Sequence, residues 1–294
     1  MIHETAIIDP SAKIAKDVTI GPYSIIGPEV EIGNGCHIAS HVVIQGQTKL
    51  GQNNQIYQFS SIGEIPQDKK YDGEATLLEI GDNNVIRESV TINRGTVQGG
   101  GVTKVGNDNW IMAYVHIAHD CIVGNKNTFA NNATLAGHVL IDDHVILGGF
   151  TLVSQFNAMA SYSFSAMGSV ISRNVPPYVL VSGHMAKPFG VNVKGLKRHQ
   201  FSDKQIKNIR QAYKLTYRSG LKVEQASQAI QELQQEQTEL SLYTDFLRKN
   251  KAVLSVKQRL FNQKKGLTDV SPFFYRYHLI ILFIRWSSTD FMNT

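Results

Sequence analysis

The chemistry available to this sequence is concentrated in one stretch near its centre, Ile117-Ala118-His119-Asp120-Cys121. An imidazole gains and loses a proton near neutral pH, so His119 is a candidate general base. Asp120 follows directly and is a candidate partner to orient that imidazole. A base paired with an orienting carboxylate suits the activation of a weakly acidic hydroxyl.

The surrounding chain repeats with a period of six residues. The aliphatic positions of the first run are Ile8, Ile14, Ile20, Ile26, Ile32, Ile38, Ile44, Leu50, Ile56 and Ile62. The phase continues to Ile92, shifts by one across residues 98–104, and then runs from Val105 to Ile171. A period of six fits neither a helix nor an ordinary strand and predicts a parallel β-helix. Its corners need residues that tolerate positive φ, which explains pairs such as Asn34-Gly35 and Asn107-Asp108.

Three such repeats form one coil, so residues 18 positions apart stack and Gly137 lies over His119. A base, a carboxylate and a backbone amide for the oxyanion are the parts that acyl transfer needs. Two interruptions of the repeat, 64–79 and 98–104, are predicted to be loops extruded from one face, where binding sites often lie.

Six histidines of the repeat region raise the alternative of a metal site: His37, His41, His116, His119, His138 and His144. One group of hexapeptide β-helices, the γ-class carbonic anhydrases, binds zinc through three histidines. No cysteine or acid joins these histidines at a clear ligand spacing, so no metal is predicted. The two cysteines, Cys36 and Cys121, stand at small-residue positions and are predicted to be core residues.

A helical region follows the repeats. Residues 183–192 are expected to be a connector, and Ser202 with Gln205 forms a capping box that starts a helix ending near Gly220. Two further helices are predicted at about residues 223–235 and 239–250. The basic residues of segment 187–218 form either a solvated face or a docking surface for an anionic partner: Lys187, Lys194, Lys197, Arg198, Lys204, Lys207, Arg210, Lys214 and Arg218.

The bulk composition narrows the setting of the protein. The net charge of +5 fits an anionic partner, but no recognition motif accompanies it, so no nucleic-acid partner is predicted. The two distant cysteines favour a reducing compartment, and we expect a cytoplasmic protein. We find no signal peptide and no stretch of about 20 apolar residues that would span a bilayer. Residues 262–294 fit neither pattern.

Long stretches of the sequence, over about residues 2–260, resemble the UDP-N-acetylglucosamine O-acyltransferase family. They include Ile86-Arg87-Glu88-Ser89-Val90-Thr91-Ile92, Arg94-Gly95-Thr96-Val97-Gln98-Gly99-Gly100-Gly101, His116-Ile117-Ala118-His119-Asp120-Cys121, Ala130-Asn131-Asn132-Ala133-Thr134-Leu135-Ala136-Gly137-His138-Val139 and Gly195-Leu196-Lys197-Arg198. The resemblance implies a mainly β fold: a left-handed parallel β-helix (1–187), a C-terminal α-helical domain (188–260) and an atypical extension (261–294).

The resemblance also implies a reaction and a partner. An (R)-3-hydroxyacyl group passes from acyl carrier protein to the 3-hydroxyl of UDP-N-acetylglucosamine, in the first step of lipid A biosynthesis. No cofactor is expected beyond the phosphopantetheine arm that carries the donor. The family forms a homotrimer with active sites between subunits, and an acidic carrier protein gives the basic segment 187–218 a specific role.

The resemblance assigns roles to individual residues. His119 is the general base, Asp120 orients it, and the Gly137 N–H holds the oxyanion. The substrate-binding positions are Asp68, Lys70, His116, His138, Gln155, Asn192 and Arg198. Met167 stands where members that use long acyl chains carry glycine, so we expect a shorter chain of about ten carbons.

Four residues depart from the family pattern: Ser154, Asn93, Lys194 and His199. They leave other interpretations open. A hexapeptide acyltransferase that acts on a 3-amino UDP-sugar is the first alternative. A zinc hydratase of the γ type and a non-catalytic solenoid are the others, although an intact His119-Asp120 pair argues against the last.

Overall fold

The computed structural model describes residues 1–249. The predicted extension 261–294 and the last residue of the third predicted helix lie outside this range. Within it, no helix is both long enough and apolar enough to cross a bilayer.

Strands of mostly two residues wind into three sheets within residues 1–249, all parallel except for the last pair of sheet 3, and the predicted β-helix is confirmed. Strands are numbered in chain order. Sheet 1 contains β1 (Ile7–Ile8), β4 (Ile25–Ile26), β7 (Val43–Ile44), β10 (Ser61–Glu64), β13 (Thr91–Asn93), β16 (His116–Ile117), β19 (Thr134–Leu135), β22 (Leu152–Val153) and β25 (Val170–Ile171). Sheet 2 contains β2 (Lys13–Ile14), β5 (Glu31–Ile32), β8 (Gln47–Leu50), β11 (Leu77–Ile80), β14 (Val102–Val105), β17 (Ile122–Val123), β20 (Leu140–Ile141) and β23 (Ala158–Met159).

Sheet 3 closes each coil. It contains β3 (Thr19–Ile20), β6 (His37–Ile38), β9 (Gln55–Ile56), β12 (Val85–Ile86), β15 (Trp110–Ile111), β18 (Thr128–Phe129), β21 (Ile146–Leu147), β24 (Phe164–Ser165), β26 (Val179–Ser182) and β27 (Lys187–Val191). We name the corners by the sheets they join in chain direction: corner 1–2, corner 2–3 and corner 3–1.

The core explains the six-residue period. In most strands the second residue points inward and is buried, while the first faces outward. Ile38, Ile62, Ile92 and Ile117 are completely buried, and each such side chain stabilises the fold by about 1.5–3 kcal/mol. Cys36 and Cys121 are buried free thiols within this core, as predicted.

Most corners contain one residue with positive φ. The predicted pairs behave as expected, since φ is 68° at Gly35 and 57° at Asp108. Aromatic and histidine side chains occupy other corners, such as Tyr23 and Phe59. They stack along the corner, which offsets the unfavourable backbone: the rings of Tyr23 and His41 lie 5.2 Å apart.

Both interruptions of the repeat are loops at corner 1–2. Ile7 pairs with Ile25, the normal spacing of 18 residues, whereas Ser61 pairs with Thr91, 30 residues on. The first insertion therefore adds twelve residues and forms the loop 65–76. The second, residues 94–101, adds seven because Leu77 pairs with Val102, 25 residues on. Seven is one more than a repeat, which explains the shift of phase.

The expected connector 183–192 is instead half of a hairpin. Strand β27 pairs antiparallel with β26, so the sheet continues to Val191. Up to residue 249, four α-helices follow: α1 (Val193–Arg198), α2 (Asp203–Tyr217), α3 (Val223–Gln234) and α4 (Ser241–Lys249). The Ser202–Gln205 capping box is confirmed. A 3-10 turn, Thr238–Leu240, precedes α4.

Helix α1 is fastened to corner 2–3. Asn192 caps the helix and donates its amide to the carbonyl of Tyr162 at 3.0 Å. His199, at the other end of α1, meets the ring of His144 at 4.6 Å, and His144 stacks on Tyr162 at 4.7 Å. Burial, with a smaller contribution from the nearby His199, lowers the pKa of His144.

Candidate active site

Corner 1–2 gathers most of the predicted catalytic groups. His119 and Asp120 follow strand β16 of sheet 1, and Gly137 and His138 follow β19 one coil later. Both inserted loops leave the solenoid at this corner, so the expectation that they are extruded from one face is met. The stacking of Gly137 on His119 follows from the 18-residue register of β16 and β19.

His119 and Asp120 form a close pair. The distance from His119 Nδ1 to Asp120 Oδ2 is 2.7 Å, and only 14% and 1% of the two side chains are exposed. An ionised carboxylate only accepts hydrogen bonds, so Nδ1 carries the proton in this contact. The other ring nitrogen, Nε2, then has a free lone pair that can take a proton from a substrate hydroxyl.

Asp120 is held in a left-handed backbone conformation, with φ of 60°. Its N–H donates to Thr103 Oγ1 at 2.8 Å. Its carboxylate accepts from the Thr96 N–H at 2.8 Å and from the Thr96 hydroxyl at 2.6 Å. Neither threonine was predicted from the sequence to have a role, because Thr96 precedes the interruption expected at 98–104 and no catalytic motif marks it.

Gly137 lies directly against the imidazole. A Cβ on this residue would be 2.6 Å from His119 Cε1 and 2.8 Å from Nε2. Within residues 1–249 its N–H meets no acceptor, as is also true of the equivalent first turn residue at 155. The corner geometry thus leaves one unpaired backbone donor beside the candidate base.

Two other predicted histidines line the same site. His138 Nε2 is 3.7 Å from Asp120 Oδ2, and its ring stacks on Phe156 at 4.5 Å. His116 bonds Thr91 Oγ1 at 2.7 Å. Burial, and secondarily the proximity of His119, lowers the pKa of His116, so this ring is neutral at physiological pH.

The structure adds an acid to the histidines, which the sequence spacing did not reveal. Ligand atoms of His119, Asp120 and His138 lie within 4.8 Å of one another, so distance alone would permit a metal. Two ligands of one tetrahedral zinc are about 3.3 Å apart. The 2.7 Å between His119 and Asp120 is shorter and fits a shared proton better.

Cys121, directly after the pair, is unsuited to nucleophilic chemistry. Burial raises the pKa of its thiol to about 12, and the side chain is fully enclosed. A protonated thiol is a poor nucleophile. The corner therefore offers a candidate general base and no nucleophilic cysteine.

Asp68 and Lys70 lie on the 65–76 loop at the same corner. Arg94 ties that loop to the solenoid, since its Nη1 donates to a backbone carbonyl at the base of the loop at 3.0 Å. Its Nη2 donates to Tyr71 Oη, also at 3.0 Å. Asp68 Oδ1 accepts from the backbone N–H of Lys70 at 3.0 Å. The loop is thus a fastened element of corner 1–2.

The remaining predicted residues are spread over all three corners. Gln155 is exposed at corner 1–2, next to Phe156. Asn192 and Arg198 lie at corner 2–3 with helix α1. Met167 lies at corner 3–1 and is 78% exposed. One chain therefore does not bring Asn192, Arg198 or Met167 to His119.

The four departures differ in what they contact. Asn93 is buried and donates to the Ile65 carbonyl at 2.7 Å, so it secures the base of the loop. Ser154 and Lys194 are exposed. His199 packs against the rings at corner 2–3, as described above. None of the four touches the His119–Asp120 pair.

Known proteins resemble this chain closely. A family model described as UDP-N-acetylglucosamine O-acyltransferase, domain 2, matches residues 174–254, and a bacterial transferase hexapeptide model matches residues 11–46 and 102–137. LpxA from Acinetobacter baumannii is 51% identical, with a TM-score of 0.85, over 86% of this chain and 99% of that one.

Two further solved structures are similar to this chain over most of its length. The UDP-N-acetylglucosamine O-acyltransferase (LpxA) of Moraxella catarrhalis is 47% identical over 85% of this chain and 98% of its own, with a TM-score of 0.84. The Francisella novicida UDP-N-acetylglucosamine acyltransferase is 41% identical over 86% and 92%, also with a TM-score of 0.84.

Proposed function

This chain belongs to the UDP-N-acetylglucosamine O-acyltransferase family, and from that premise we propose its reaction in detail. An (R)-3-hydroxyacyl group passes from acyl carrier protein to the 3-hydroxyl of UDP-N-acetylglucosamine, in the first step of lipid A biosynthesis. His119 is the general base. The observation that carries this assignment is the buried 2.7 Å contact between His119 Nδ1 and Asp120 Oδ2, which leaves Nε2 for the substrate.

The base makes the sugar hydroxyl reactive. As the hydroxyl oxygen bonds to the thioester carbon, its proton moves to His119 Nε2, and the carboxylate of Asp120 stabilises the imidazolium that forms. When the carbon–sulfur bond breaks, the leaving sulfur takes that proton. The histidine returns to its neutral form and no other reactant is consumed.

The oxyanion of the tetrahedral intermediate needs a donor near the base. The N–H of Gly137 is our candidate, and two observations support it: the residue lies against the His119 ring, and the N–H has no acceptor within residues 1–249. One such donor is worth about 10²–10³-fold in rate in other acyl-transfer sites. A thioester attacked in this way requires no metal or cofactor.

The positive charge of segment 187–218 supports acyl carrier protein as the partner that brings the acyl donor. Segment 187–218 holds nine lysines and arginines against one acid, Asp203. This segment spans β27, α1 and α2, and most of its basic side chains are exposed. An acidic carrier protein would dock here by electrostatic attraction. Asn192 and Arg198 then lie where the phosphopantetheine arm and the nucleotide arrive.

The positions of these residues favour a homotrimer. His119 is at corner 1–2, whereas Asn192 and Arg198 are at corner 2–3, and Met167 is at corner 3–1. Three different corners of one β-helix cannot contact the same substrate molecule. Neighbouring subunits packed side by side would bring such corners together, so we assign the active sites to the clefts between subunits. We place the enzyme in the cytoplasm.

The direct test is acyl transfer by the purified protein. Donors are 3-hydroxyacyl carrier proteins of several lengths, and the acceptor is UDP-N-acetylglucosamine. His119→Ala should lower the rate by about 10²–10⁴-fold. His41→Ala is the matched control, because His41 is a ring-stacked corner histidine at corner 3–1.

Each failure has a distinct meaning. Transfer that survives in His119→Ala contradicts the base assignment. Transfer only to a 3-amino UDP-sugar establishes the alternative acceptor. Stoichiometric zinc in an active preparation, lost together with activity on chelation, would replace the metal-free mechanism.

A further inference from the structure

The carboxylate of Asp120 is almost completely buried, at 1% exposure. A buried charge is strongly unfavourable unless hydrogen bonds satisfy it. Two imidazoles compete for its oxygen Oδ2: His119 Nδ1 at 2.7 Å and His138 Nε2 at 3.7 Å. A small rotation of the carboxylate would favour His138, so something must fix its orientation.

Thr96 supplies that constraint through two donors. Its N–H donates to Oδ1 of Asp120 at 2.8 Å, and its hydroxyl donates to Oδ2 at 2.6 Å. Because one residue holds both carboxylate oxygens, the plane of the carboxylate cannot turn. The remaining lone pair of Oδ2 then faces His119.

The inserted loop 94–101 is built to bring Thr96 this close. Thr96 caps the 3-10 turn Val97–Gly99, and its hydroxyl accepts from the Gly99 N–H at 3.2 Å. A side chain at Gly99 would overlap the Asp120 carboxylate. Gly100 and Gly101 have φ of 96° and 83°, which glycine adopts without strain. The three glycines thus let the loop close over Asp120.

We propose that Thr96 is a positioning residue for catalysis: it holds the Asp120 carboxylate on His119 rather than on His138. This inference rests on the proposed function, since it assigns to His119 the role of base. It gives the seven-residue insertion a purpose that a simple turn at corner 1–2 would not serve.

The test compares Thr96→Val, which removes the hydroxyl and keeps the N–H, with Thr96→Ser, which keeps both donors. Thr48→Val is the control, because Thr48 is fully buried and its hydroxyl donates to the Gln45 carbonyl at 2.6 Å. We expect kcat of Thr96→Val to fall about 10- to 100-fold, with KM for UDP-N-acetylglucosamine changed less than about twofold. Thr96→Ser should restore most of kcat, and Thr48→Val should leave it unchanged.

Urea unfolding of all variants separates stability from catalysis. The proposal is overturned if Thr96→Val keeps the wild-type kcat. It is also overturned if Thr48→Val lowers kcat as much as Thr96→Val does, or if Thr96→Ser does not restore kcat. Crystal structures of Thr96→Val and of the parent give the length of the His119–Asp120 contact in each. A His119–Asp120 contact longer than in the parent supports the proposal, and an unchanged one refutes it. Wild-type protein without transfer activity would refute the proposed function instead, and the same structure would still decide the role of Thr96.

Discussion

Replacing Gly137 with alanine tests the geometry of the site with a single methyl group. The added Cβ would lie 2.6 Å from His119 Cε1 and 2.8 Å from Nε2, whereas carbon contacts settle at about 3.5–4.0 Å. The ring must therefore retreat by roughly 1 Å. Asp120 holds the ring at Nδ1, so this retreat strains or breaks the 2.7 Å contact.

The expected loss follows from that displacement. A misplacement of about 1 Å lowers a rate by about 10²-fold, or about 2.7 kcal/mol in the activation barrier. Alanine keeps the backbone N–H, so this loss would report the position of the base and not the removal of the oxyanion donor. The alanine adds no backbone strain, because Gly137 lies outside the left-handed region, so any loss of stability should come from the displaced ring alone.

The assay measures initial rates of acyl transfer for the parent, Gly137→Ala and Gly190→Ala, with thermal unfolding of each. Gly190 is the matched control, since a Cβ there meets nothing within 4 Å. Gly190→Ala should keep the parental rate. A Gly137→Ala enzyme within about twofold of the parent would refute the placement of the glycine against the base.

Three further predictions concern other parts of the molecule. Arg94→Ala should free the 65–76 loop and raise KM for the sugar nucleotide by about tenfold, whereas Arg87→Ala, which removes an arginine paired with an adjacent glutamate, should not; equal KM values in steady-state kinetics would contradict this. Burial lowers the pKa of His144, so just below about pH 6.5 the unfolded chain binds a proton at this residue that the folded chain does not. The free energy of unfolding therefore decreases as the pH decreases. Urea unfolding should show that this decrease is smaller in His144→Phe, by up to about 1.4 kcal/mol per pH unit. Met167→Gly should shift the preferred donor from about ten carbons toward about fourteen, and a parent equally active on both lengths would contradict the ruler.

The sequence determined the scaffold because the solenoid is periodic. Each repeat places one aliphatic side chain in the core, so the spacing of isoleucines predicts strands, coils and the 18-residue register. That register alone set Gly137 over His119. It also placed both insertions at one corner, where the candidate catalytic pair lies.

The tertiary structure decided what the period does not encode. Thr96 is 24 residues from Asp120, on a loop that leaves the repeat, and no local sequence pattern indicates that it donates hydrogen bonds to the carboxylate. His138 is one residue out of register with His119, yet their rings lie 5.2 Å apart, edge to face, at corner 1–2. Asn192 was assigned to the substrate site, and only the fold shows that it sits at a different corner from the base. These contacts depend on where loops and corners come together in space, whereas the core depends only on a repeat that is visible along the chain.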